Sequence, residues 1–406
     1  MSNKSCTALR LAAGSFLHAD FLFSYPLRGI VKPTIMLIGV GGLGSVILEL
    51  LAREDGIGRI LVGGRNAEYG VARCNLACLG AMAQGHYPSI RFLTLDLRNP
   101  EAVAATIQSE KPDLILSTAT MQTWWLPDLL PTPQAAAIKR AGFGMWLPVH
   151  LTLTIKLMEA LRAAHYDGLT LTAPFPDVVN CILGRLNLAP TCGVGNLDEI
   201  VPKVRLLAAA RLQVAAEAVS VQLVAHHALE EAAFGSAEGE VPPYFLRVEY
   251  AGQDVTEAVG ASALLLADYP VTSGPATHFL TAGSAIRLIR ALLSDSSTLL
   301  HAPGPNGLPG GYPVIASRQG VQLAPLSGLS LAEAIAINEQ SHRFDGIDHI
   351  EADGTAVFCP AVVQAWRELL GYDCERLQPG DAEARAEELI GRFRAYARRH
   401  DVTLPM

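Results

Sequence analysis

Residues 35–48 read Ile-Met-Leu-Ile-Gly-Val-Gly-Gly-Leu-Gly-Ser-Val-Ile-Leu. A short apolar strand runs into three glycines spaced G-x-G-x-x-G, and helical periodicity follows at once. That order restricts the fold more than any other stretch of the chain. In this spacing Gly39 permits a tight turn, Gly41 lets the backbone approach a pyrophosphate, and Gly44 lets the helix pack closely on the strand. The phosphate charge then rests on the free N–H groups of the helix N-terminus. Gly39, Gly41, Gly42, Leu43 and Gly44 are therefore expected to form a dinucleotide site; the alternative is a glycine-rich turn with no ligand.

The segments that follow repeat strand, then helix. Val46–Arg53 continues the first helix, and Arg59–Gly64 reads as the second strand. Helix at Ala72–Met82, strand at Ile90–Asp96, helix at Pro100–Ser109 and strand at Asp113–Ala119 come next. This alternation predicts an α/β chain with a parallel, doubly wound sheet. An N-terminal Rossmann domain is expected over residues 1–170 and an α+β substrate and oligomerisation domain over 171–406. Asp96 falls near the expected adenine pocket, and Thr118 and Ala119 are expected to lie along the cofactor. About twenty residues beyond the last glycine, an NAD site presents a carboxylate to the ribose hydroxyl. Here Gly64-Arg65-Asn66 stands at that place. An arginine suits a 2′-phosphate, so Arg65 and Asn66 point to NADP(H) over NAD(H); a solvent-facing turn arginine is the plain alternative.

Composition narrows the class. At 406 residues the chain has room for two cores, and half of it is apolar with 17% charged, which argues against disorder. The net charge of −8 offers no basic surface for nucleic acid or an anionic membrane. Seven scattered cysteines without a C-x-x-C suit reduced thiols in a cytoplasm, with no metal expected. Cys74 and Cys78, one helical turn apart, read as core packing. The apolar segment Leu9–Phe23 is interrupted by His18 and Asp20 and reads as a leading strand or helix, not a signal peptide.

After Thr120 the chain turns irregular, and Trp124 and Trp125 are candidates for a substrate wall, or else anchors of a loop or subunit contact. His150 is expected to begin the next helix. A strand at Leu169–Thr172 leads into Ala173-Pro174-Phe175-Pro176-Asp177, and later into Gly193-Val194-Gly195-Asn196-Leu197-Asp198. Val219–Ala225 then runs into His226-His227. In this order the chain resembles the lactate/malate dehydrogenase family. The resemblance implies an NAD(P)-dependent dehydrogenase acting on a small molecule, as a homodimer or larger assembly. It also implies an acid/base at His226, or His227, oriented by Asp198. The chemistry has its own logic. Hydride transfer at a carbon bearing oxygen requires a proton at that oxygen, and a histidine held by a carboxylate supplies it.

The sequence departs from that family in places. Ala173 stands where the family has Asn before Pro. Thr123, Trp124 and Trp125 occupy the loop of its closing arginine, and Val201 the place of its carboxylate-binding arginine. Arg205 or Lys203 would then hold the substrate through a register shift at Pro202, with Asn196, Trp124 and Trp125 beside it. A larger or less polar substrate than the usual 2-hydroxy acid fits these replacements.

Further on, His278 precedes a helix expected at Thr281–Leu293, facing the cleft or serving as core or cap. His301–Gly311 is too rich in Pro and Gly for an element and reads as an ordered loop. Helices are expected at Leu331–Ser341, Pro360–Leu370 and Ala382–Arg399. Competing readings are an opine- or saccharopine-type imine dehydrogenase, a non-catalytic NADP(H) sensor, and an ATP-dependent adenylating enzyme of the ubiquitin-activating kind. The last needs an acidic strand end, an Asn-Leu-x-Arg segment and often paired C-x-x-C ligands; here Asn75-Leu76 is followed by Ala77-Cys78.

Overall fold

Ile35, Met36, Leu37 and Ile38 are all buried, so the strand they form needs an apolar layer on each face. The computed structural model describes residues 32–235, 239–272 and 274–405, and both layers are present in it. The first half runs β1 (Thr34–Ile38), α1 (Gly42–Leu51), β2 (Arg59–Gly64), α2 (Ala67–Met82), β3 (Ile90–Thr94), α3 (Pro100–Glu110) and β4 (Leu114–Ser117). It continues through α4 (Thr132–Arg140), α5 (Leu147–Ala163), β5 (Leu169–Thr172), α6 (Pro176–Arg185) and β6 (Cys192–Gly193). These six strands form one parallel sheet in the order β3-β2-β1-β4-β5-β6. The order reverses between β1 and β4, and in such sheets ligands bind outside the carboxyl ends of the strands at that reversal.

Two-residue periodicity sorts the strands onto the layers. Met36 and Ile38 face a layer built from α3, α5 and the C-terminal helix, including Val103, Leu151 and Phe393. Ile35 and Leu37 face α1 and a later helix, through Ile47, Leu48, Ala285 and Ile289. Each of the larger of these side chains contributes about 1.5–3 kcal/mol on burial.

The second half is α+β. It comprises α7 (Leu197–Leu212), β7 (Val219–Val224), α8 (Leu229–Ala233), β8 (Phe245–Tyr250), β9 (Gln253–Asp254), α9 (Ala261–Leu265), α10 (His278–Leu292) and β10 (Thr298–Pro303). Then come β11 (Gly311–Ser317), β12 (Gly320–Leu323), α11 (Leu331–Ser341), β13 (Ile347–Ile350), β14 (Ala356–Phe358), α12 (Pro360–Leu370), β15 (Arg376–Leu377) and α13 (Ala382–Arg399). Three small antiparallel sheets group β7–β9, β10–β12 and β13–β15.

Of the stretch expected as a loop at His301–Gly311, residues 304–310 do form a connection, while its two ends are strands of a hairpin. His301 pairs with Pro313 and Pro303 with Gly311, while Gly304, Gly307 and Gly310, all at positive φ, make the connection between β10 and β11. The glycines belong to the turn, and the prolines occupy positions that pairing tolerates. Helix starts also move upstream. α2 begins at Ala67 because the Asn66 side chain accepts the Tyr69 N–H at 3.0 Å. α5 begins at Leu147, ahead of His150, and α10 at His278. Leu9–Phe23 and Cys6 lie outside the described residues. Among those described, no helix is long and apolar enough to cross a membrane.

Candidate active site

Where the sheet reverses, the ends of β1 and β4 are tied together. Gly39 (φ +94°) turns the chain out of β1, and Thr118 donates its hydroxyl to the Gly39 carbonyl at 3.0 Å. A Cβ on Gly39 would meet Thr118 Oγ1 at 2.9 Å and the Ala119 nitrogen at 3.0 Å. One on Gly44 would sit 2.0 Å from the Gly39 carbonyl oxygen. Gly41 differs: a Cβ there meets nothing within 4 Å, and Gly41 and Gly42 are both exposed. No side chain caps α1, so its first N–H groups are left for a ligand or water. Leu43 packs half-buried on the α1 side of the sheet. A sharp turn, an open approach and a tight helix contact together make a cradle that fits a dinucleotide pyrophosphate.

At the end of β2, Gly64 is followed by Arg65, which is exposed. Asn66 is spent as the α2 cap. Asp96 is held by Arg98 through Nε at 3.1 Å and Nη2 at 2.7 Å, which keeps its carboxyl below the usual range. Trp124 is exposed and meets the His278 ring edge-to-face at 6.5 Å, whereas Trp125 packs half-buried against the α5 side of the core.

β7 delivers His226 and His227 to the same end of the molecule. Phe175 follows β5 with φ +46°, rare for a bulky residue, and its ring centre lies 5.1 Å from that of His227. Phe143 lies 5.4 Å from His227 and 5.6 Å from His150. His150 Nδ1 in turn sits 3.1 Å from Thr120 Oγ1, just past β4. One aromatic layer therefore separates the histidine pair from the end of β4.

Two carboxylates serve the pair. Asp177 Oδ2 accepts the His227 backbone N–H at 2.6 Å. Asp345 Oδ2 lies 3.1 Å from His227 Nδ1 and 3.3 Å from His226 Nδ1. His226 Nδ1 also accepts the Ala228 N–H at 3.3 Å, which places its proton on Nε2 and leaves Asp345 in ion-pair contact with His227. Burial pushes His226 well below the ordinary histidine value, and His150 and His342 down to about 4. Burial opposes the charge on His227 too, but Asp345 and Asp177 outweigh it and lift that imidazole to about 9. Asp177 is pushed up to about 7, chiefly by burial. Of these four rings His227 is the one whose surroundings favour the charged form. Its side chain is 20% exposed, against 0% for His226. Asn196 (φ +52°) holds its amide beside Asp177. Ligating atoms of Asp177, His226 and His227 all lie within 4.8 Å of one another.

No family model and no curated protein matches the sequence. Solved structures do match. Malate dehydrogenase from Cryptosporidium parvum is 16% identical, with a TM-score of 0.53 over 78% of this chain and 98% of that one. The minor L-lactate dehydrogenase from Enterococcus mundtii, in its ligands-bound form, is 16% identical with a TM-score of 0.51 over 77% and 96%. Malate dehydrogenase from Plasmodium falciparum in complex with NADH is 12% identical with a TM-score of 0.52 over 77% and 98%. The chain has the fold of the lactate and malate dehydrogenases.

Within this lactate/malate dehydrogenase fold the structure groups the sequence-derived candidates differently from the resemblance. Asp198 accepts from Arg287 Nη1 at 3.0 Å, bridging α7 and α10, and burial raises its carboxyl against that arginine. The carboxylates at the histidine pair are Asp345 and Asp177. Lys203 donates to the carbonyls of Ala233, Leu265 and Ala267, so its three protons are spent at the ends of α8 and α9. Arg205 is half-buried near Arg287 and Asp198, and burial lowers its pKa. Asp345, His342, Phe143 and Phe175 were not read as site residues. Asp345 reaches β7 only through tertiary packing, and no local spacing marks it. Phe175 carried a signal, as the residue between two prolines at a strand end.

Proposed function

We propose that this chain is a nicotinamide-nucleotide-dependent oxidoreductase acting on a carbonyl/hydroxyl pair of a 2-oxo/2-hydroxy-acid-like or imine substrate. The observation that carries the proposal is the charged, partly exposed His227, oriented by Asp345 at the ligand-binding end of the sheet. Residues 1–170 serve the nucleotide, and 171–406 the substrate, the acid/base and assembly as a homodimer or larger. The nicotinamide, when bound, supplies or accepts the hydride. His227 gives a proton to the substrate oxygen as the adjacent carbon is reduced, and takes one back in oxidation. Asp345 fixes the ring tautomer and holds the imidazolium. Phe143 and Phe175 keep water from one side of that ring. The fold's carboxylate-orienting role passes from Asp198 to Asp345 in this reading, and His226 is a buried neighbour.

NADP(H) is the preferred nucleotide in this proposal, because Arg65 is exposed beside Gly64 with no carboxylate at the end of β2. Arg65→Asp is expected to weaken NADPH binding by roughly 10–100-fold, the worth of a lost charge-assisted bond, with a much smaller change for NADH. Nicotinamide fluorescence titration reads both, and equal losses would remove the basis for the preference. The spacing of Asp177, His226 and His227 also suits a divalent cation. Dialysis against a chelator distinguishes the two chemistries: proton transfer by His227 predicts unchanged turnover, whereas a cation reading predicts its loss and its recovery on adding Zn²⁺ or Mn²⁺.

A further inference from the structure

The fingerprint spacing asks for glycine at 39, 41 and 44, yet position 42 is glycine as well. The reason lies across the turn. A Cβ on Gly42 would stand 2.5 Å from His278 Cε1 and 2.9 Å from His278 Nδ1, so the imidazole occupies the space that any other residue would fill. His278 opens α10 and is only 6% exposed, although Gly41 and Gly42 beside it are exposed. Trp124 meets its ring from another side. Among the described residues its ring nitrogens make no hydrogen bond, and nothing charged lies close enough to perturb it; burial alone lowers its pKa. The ring is packed between Gly42 and Trp124, yet its nitrogens are not fully enclosed, so a free N–H stands open to a ligand or water beside the uncapped helix N-terminus.

We propose that His278 is a cofactor-binding residue that donates a ring N–H to the pyrophosphate as it crosses Gly41, and that Gly42 is glycine to admit that ring. This rests on the nucleotide-binding reading above. The site combines the first N–H groups of α1 with one side-chain donor from the second half of the chain. Trp124 holds the ring in place and shields it from water. A diphosphate, and not a nucleoside, is the moiety recognised.

The test is equilibrium binding of ADP and adenosine, with NADPH and NADH alongside, to the wild type, three single variants and one double variant. His278→Ala is expected to weaken ADP, NADPH and NADH by about tenfold, the typical worth of a hydrogen bond to a charged group, and to leave adenosine unchanged. His278→Gln, which keeps a donor, is expected to recover most of that loss. Gly42→Ala displaces the ring and is expected to weaken ADP to a similar extent. In the His278→Ala background it is expected to add nothing, and that coupling is not produced by general loosening. Equal losses for adenosine and ADP, unchanged ADP binding in His278→Ala, or additive effects of the two substitutions overturn the proposal. A wild type that binds none of the nucleotides removes the nucleotide reading itself, and this inference with it.

Discussion

His227→Ala is expected to lower turnover by roughly 10²–10⁴-fold, the span that a positioned acid/base contributes, while nucleotide affinity stays within about twofold. The size of the effect follows from the electrostatics. Three imidazoles in the neighbourhood are kept neutral by burial, so none of them replaces the lost donor. His226→Ala empties a fully buried position and is expected to cost stability before chemistry. The pH profile carries the sign. His227 titrates at about 9, above its ordinary 6.5, so it is protonated through the neutral range. Carbonyl reduction is therefore expected to be flat below that value and to fall as pH rises through about 9. Its contribution to stability is full below the ordinary histidine value and is lost over the same rise. Asp345→Asn removes the main charge that lifts His227, and burial then dominates. The fall in reduction rate is expected to move to lower pH, whereas a merely structural Asp345 would lower the rate without moving the profile. Pre-steady-state reduction measured across pH in the three proteins reads both effects.

The second large effect is expected at Gly44. An alanine there brings Cβ to 2.0 Å from the Gly39 carbonyl oxygen and 2.8 Å from Thr118 Oγ1. The first of these atoms is backbone and has no rotamer to retreat into. Helix α1 must move off β1, straining both the turn and its tie to β4. Overpacking of this kind costs about 1–3 kcal/mol or more, a drop of a few degrees in melting temperature. Nucleotide binding is expected to fall below detection, since the N–H groups of α1 no longer converge. Gly41→Ala is the informative contrast. Its Cβ enters open space, so melting is expected to match the wild type while nucleotide affinity falls, because the space belongs to the pyrophosphate. If Gly41→Ala bound nucleotide as the wild type does, the cradle assigned to this turn would be wrong.

Much of the first half was legible because its signals are local. The apolar run at 35–38, the glycine spacing and the strand–helix alternation each follow from contacts within a few residues, and the parallel sheet follows from them. The boundaries missed were those set by caps or burial, such as the Asn66 cap and the early start of α10 at His278. The Pro- and Gly-rich connection at 304–310 was legible as a loop, but the strand ends on either side of it were not, because they depend on the pairing of β10 with β11. The site was legible in part. The histidine pair at the end of a strand stood out, but its carboxylate partners did not. Asp345 arrives from the turn that follows α11, and Asp198 is drawn away by Arg287, a pairing between helices that no spacing announces. Gly42 is legible as part of the expected dinucleotide turn, but the reason it is glycine is not, since the side chain that crowds it comes from α10.

In the proposed enzyme a nicotinamide dinucleotide lies over Gly41 where the sheet reverses, within reach of His227. Calorimetric titration of the wild type and of Gly41→Val with NADPH, NADH and ATP tests it most directly. NADPH is expected to bind saturably and more tightly than NADH, ATP to give no comparable heat, and Gly41→Val to lose the nicotinamide signal while still melting as the wild type. Binding of ATP alone, or nicotinamide binding untouched by Gly41→Val, would contradict it.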